Sequence, residues 1–111
     1  MKPEKLIHDG KVAVLYSPGY GAGWSTWDHD EGVAEFLLFD RRLVEAAKAG
    51  ATEREVSEFL ETIYGSDRYI STGGWEQIVT QWVPVGTKFL IEEYDGAESL
   101  VLFDQVKFYE A

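Results

Sequence analysis

The chain has 111 residues, 45% hydrophobic and 14% aromatic, enough for one packed core and too few for two. Twenty acidic against ten basic side chains give a net charge of −10, a field that repels nucleic acid and anionic membranes. No cysteine is present, which excludes disulfides and thiolate metal sites.

The N-terminus "MKPEKLIHDG" lacks the apolar stretch of a signal peptide. No apolar run approaches the roughly 18 residues of a spanning helix. The expectation is a soluble, cytoplasmic protein with one domain over 1–111.

In chain order, residues 11–17 predict a strand, and its continuous apolar run Val12–Tyr16 implies burial on both faces. Residues 18–26 must be loop, because Pro18 and three alternating glycines suit neither helix nor strand interiors. Residues 31–39 ("EGVAEFLLF") are ambiguous between a short helix and extended chain. Asp40 is placed to cap a helix over about 41–49, ended by Gly50. Thr52 and Glu55 form a capping-box pair opening a helix over 53–64, with Val56, Phe59, Leu60 and Ile63 as its buried stripe.

Beyond Gly65 the pattern turns to strands: a short candidate at 67–71, then 76–83 stopped by Pro84, then 87–94. Asp95-Gly96 is a hairpin signal leading into a strand at 98–103, and 106–110 can add a last one. The result is an α+β fold, a mostly antiparallel β-sheet with two helices (about 41–49 and 53–64) packed on it.

The chemistry concentrates in "KVAVLYSPGYGAGWSTW", residues 11–27. A strand followed by Gly19, Gly21 and Gly23 brings several backbone N–H groups near one point, the arrangement of an anion-binding concavity. The spacing is neither the dinucleotide fingerprint nor a mononucleotide P-loop. Ser17, Ser25 and Thr26 could add hydroxyl donors, and Tyr20, Trp24 or Trp27 could stack on a flat ring. Arg41 or Arg42 would offset the protein's own negative field for an anionic ligand. The bland alternative is a tight, aromatic-packed turn.

Catalytic signals are weaker. "DHDE" at 28–31 lacks the i, i+4 spacing of zinc motifs, and Ser25–His29–Asp30 lacks a nucleophile-elbow context, so no catalytic residue, metal or cofactor is assigned. A solvated acidic turn accounts better for that cluster, and metal-dependent hydrolysis is the minority reading. Two acidic groups carry a competing idea: Glu55, Glu58 and Glu61 on the helix, and Glu92, Glu93, Asp95 and Glu98 around the hairpin tip. Together they could imitate a phosphate row and occupy a basic groove on a host protein.

The blocks "GAGWSTW" and "WVPVGTKFLIEEYDGAES" resemble those of small proteins of unassigned function encoded by bacteriophages and prophages. That resemblance spans nearly the whole chain and brings no catalytic residues with it. It implies expression in the cytoplasm of a bacterial host and a role against host defence. The expected function is therefore a non-catalytic binder of a nucleotide-like signal, a sponge that sequesters it, with a homo-oligomer as a natural assembly. Neither direct nucleic-acid binding nor membrane association is expected.

Overall fold

Asp9 and Gly10, with φ of 51° and 73°, take the paired left-handed conformations of a type I′ turn. The turn joins strand β1 (Ile7–His8) to β2 (Lys11–Tyr16). A computed structural model describes residues 2–20, 23–105, 107 and 109–111. Strand β2 lies between β1 and β3 (Val79–Pro84), antiparallel to both. Val12 to Leu15 are all buried, so both faces of this central strand are covered, as its unbroken apolar run predicts.

The first departure from expectation is a third helix. The ambiguous segment becomes α1 (Glu31–Phe39) because the Asp30 side chain accepts hydrogen bonds from the N–H groups of Gly32 and Val33. Its buried residues Val33, Phe36 and Leu37 fall on one helical face. Asp40 then ends α1 and caps α2 (Arg41–Lys48), accepting from Arg42 N.

After α2, Gly50 N donates to Ala47 O and Ala51 N to Ala46 O, a Schellman closure with Gly50 at φ 74°. The Thr52–Glu55 capping box opens α3 (Glu53–Tyr64) as the sequence predicts. Val56 and Leu60 are buried, while Phe59 and Ile63 are partly buried against the same core.

Residues 67–71, expected as a strand, form turn and irregular chain. Only Ile70 is buried there, so the segment has one anchor rather than the alternating face a strand needs. The expected strand at 76–83 starts later, because Trp75–Gln77 make a 3₁₀ turn and pairing begins at Val79. Asp95 and Gly96 (φ 51° and 82°) join β4 (Phe89–Tyr94) to β5 (Ala97–Leu102). This hairpin is a separate two-stranded sheet, so the single sheet expected is two. The expected last strand at 106–110 includes Val106 and Phe108, which lie outside the described residues, and Lys107, Tyr109 and Glu110 are unpaired by strand bonds.

The three-helix layer and the β2 face beneath it enclose one core: Leu15, Trp24, Phe36, Leu37, Leu43, Leu60 and Trp75 are among its buried members. Burying side chains of this size contributes about 1.5–3 kcal/mol each. The architecture is α+β. No helix among the described residues is long and apolar enough to cross a membrane.

Candidate functional site

Backbone amides flanking the glycines, those of Ser17, Trp24 and Thr26 rather than of the glycines expected, gather around one anionic group, and that group belongs to the protein. The Glu98 side chain is 1% exposed. Its Oε1 accepts from Ser17 N at 2.8 Å, and its Oε2 accepts from Trp24 N at 2.9 Å and Thr26 N at 3.1 Å. The Thr26 hydroxyl donates to the same Oε2 at 2.6 Å. Glu98 also donates its own backbone N–H to Ser17 O at 2.8 Å. One residue of β5 thus ties the end of β2 and the loop together through both its main chain and its side chain. Burial of a carboxylate is costly unless its lone pairs are satisfied, and here each oxygen has donors.

The loop's other expected ligand groups are distributed as follows. The Ser17 hydroxyl donates to Gly74 O at 2.7 Å, and Ser25 is buried. Trp24 is fully buried, its indole N–H donating to Leu37 O at 2.7 Å and its ring 5.5 Å from that of Trp75. In this conformation it cannot stack on a bound ring. Gly19 packs against the Gln77 side chain. At Gly23 a Cβ would come within 2.6 Å of the Trp27 ring, so glycine is required there for close approach. Gly21 lies outside the described residues. Tyr20 and Trp27 are 80% and 46% exposed, and Trp27 donates its indole N–H to Glu93 at 3.0 Å.

Arg41 and Arg42 are not gathered to the loop by any hydrogen bond among the described residues. Arg41 bonds Glu4 and Glu45, each at 3.1 Å, and these side-chain bonds raise its pKa further. Arg42 bonds Asp40 at 3.0 Å, which likewise raises its pKa, and lies over the Phe36 and Phe59 rings.

In the 28–31 cluster His29, Asp30 and Glu31 are exposed, as a solvated acidic turn requires, and two of its carboxylates also cap and pair. Asp28 accepts from Arg68 at 2.7 Å, and Asp30 caps α1. No group of acidic residues and histidines suited to hold a metal occurs among the described residues. The acidic hairpin tip loses Glu98 to the interior, and Glu93 is held by Trp27 and Gly96, leaving Glu92 and Asp95 outward.

Glu98 is the residue that sequence reasoning misassigned. The signal was its phase: counting by two from Leu102 and Leu100 places Glu98 on the hairpin's inner face, across from Glu93.

Two open concavities flank the sheet layers. A shallow apolar cleft of about 640 Å³ adjoins Ser25 and Thr26, walled by Leu38, Phe39, Phe89, Ile91 and Phe103. A deeper groove of about 650 Å³ lies between α2 and the sheet edge, lined by Leu6, His8, Val44, Glu45, Lys48 and Trp82 among others. In it the Trp82 indole, 41% exposed, meets the His8 ring edge-on at 6.3 Å. Glu45 is engaged by Arg41, whereas Lys48 makes no ion pair among the described residues. Compared with known proteins, the chain matches no protein family, no curated relative and no solved structure.

Proposed function

We propose that this protein is a non-catalytic binder of a flat, anionic small molecule of nucleotide-like chemistry, held in the groove between α2 and the edge of β3. The observation that carries this reading is an exposed indole (Trp82) and a lysine (Lys48) lining one groove of about 650 Å³. That size lies within the ordinary range for small-molecule sites, about 300–1,000 Å³, and mostly apolar walls with a few polar groups are their usual composition. Trp82 would stack on the planar ring, Leu6 and Ile78 would cover its edges, and Lys48 would meet the anionic group. A local cation is required, since a net charge of −10 disfavours an approaching anion. The glycine loop is the weaker candidate, because Glu98 already takes the amides of Ser17, Trp24 and Thr26. A sequestering role against host defence rests on the phage resemblance of the sequence blocks.

The test is a thermal-shift screen of nucleotides and nucleotide sugars. A ligand at 100 times its Kd adds about 2.7 kcal/mol of stability. Trp82→Ala should abolish the shift and Trp27→Ala should leave it. A flat screen, or a shift lost in Trp27→Ala and retained in Trp82→Ala, overturns this site.

A further inference from the structure

We infer that β3 is a self-pairing edge, and that two copies of the chain join antiparallel through it about a two-fold axis at Gln81. This rests on the strand's backbone and charge, independently of the ligand reading. Val85 N donates to Gly10 O at 2.9 Å and Ala13 N to Leu6 O at 3.0 Å, which sets the alternation of the whole ladder. With the register Val12↔Val83, Val14↔Gln81 and Tyr16↔Val79, the backbone groups of Val79, Gln81 and Val83 turn toward β2. Those of Thr80 and Trp82 turn outward, and among the described residues no strand but β2 pairs with β3. Pro84 falls at an outward position too, where its missing N–H breaks no bond to β2, the setting in which edge strands accept proline.

Edge strands are commonly protected by charge, shortness or cover. Strand β1 is two residues long, β4 carries Glu92 and Glu93, and β5 is tied to the end of β2 by the Glu98 N–H. Strand β3 is six residues long without a charged side chain, and the uncharged stretch runs from Gln77 to Thr87. Val79, Trp82 and the adjoining Val85 are exposed at 37%, 41% and 58%.

A second copy is the occupant this edge fits. Two chains of charge −10 repel wherever acidic surface meets acidic surface, so self-association needs an uncharged seam. An isologous antiparallel pairing closes at two copies, places Thr80 of one chain against Trp82 of the other, and stops at Pro84. Both Trp82 side chains then lie on the same sheet face. The Gln81 side chains meet at the axis, each with its Oε1 already held by the Tyr16 hydroxyl at 3.2 Å.

The experiment is sedimentation velocity across a concentration series, with amide hydrogen exchange by NMR. The wild-type chain should reach twice its 12.6 kDa mass. The Thr80 and Trp82 amides should gain protection with concentration, while those of Val79, Gln81 and Val83 are protected throughout. Thr80→Lys puts like charges on the seam and Thr80→Pro removes an outward donor. Each should raise the dimer Kd at least about tenfold, with far-UV circular dichroism unchanged, and Glu92→Lys on β4 should still dimerise. If Thr80→Pro unfolds, Thr80→Lys decides. A wild type that is monomeric at all concentrations, a dimer that survives Thr80→Lys, or an open-ended polymer overturns the inference.

Discussion

At the scale of single residues, Glu98 shows how a carboxylate can be structural without a cation partner. All four of its close partners donate: three backbone amides and one hydroxyl. Glutamine at this position keeps one acceptor oxygen but turns an NH2 toward donors on the other side. Each hydrogen bond to a charged group is worth about 1.5–3 kcal/mol, and donors left unpaired add their desolvation cost. Glu98→Gln should therefore lose about 2–3 kcal/mol, and Glu98→Ala more, in urea unfolding monitored by fluorescence. Retention of wild-type stability by both variants would mean that the loop satisfies its amides another way.

Among the elements, the helices are held by end chemistry that can be tested one group at a time. Gly50 sits at φ 74° with open space around a would-be Cβ, so Gly50→Ala isolates the backbone cost of the left-handed position. A loss of about 1 kcal/mol is expected from thermal unfolding. At the start of α3, hydrogen bonds from the Thr52 backbone and hydroxyl hold the Glu55 pKa below its ordinary value. A carboxylate with a depressed folded pKa stabilises above its unfolded pKa, and that contribution is lost as pH falls through the folded one. The stability difference between wild type and Glu55→Gln should thus be constant near neutrality and change as acid is added below the ordinary glutamate range. A pH-independent difference would show that the capping box contributes through geometry alone.

Over the whole molecule, the two sheets are joined where Ser17 meets Glu98, and the chain carries a net charge of −10. Charge and assembly are then linked with a definite sign. Raising salt screens the repulsion between two −10 chains, so the β3-paired dimer should tighten. An acidic surface docking on a basic host protein would weaken under the same change. Measuring the dimer Kd across a salt series separates these behaviours, and weakening on salt addition would count against an uncharged seam.

What the sequence determines by itself is local. The Thr52–Glu55 box, the Asp40 cap, the Gly50 closure and the Asp95-Gly96 turn each depend on residues within a few positions, and all four form. Asp9-Gly10 carries the same turn signature as Asp95-Gly96 and is legible on that ground. For 31–39 the apolar residues were too dense to show a period, and the Asp30 cap decided in favour of helix. Tertiary structure alone decided the partner of the glycine loop. Its flanking amides donate to the carboxylate of Glu98, 74 positions from Trp24, and no local pattern specifies which distant acid will arrive. The hairpin brings Glu98 there by its alternation and its docking against β2, and burial then requires that every donor facing it be used.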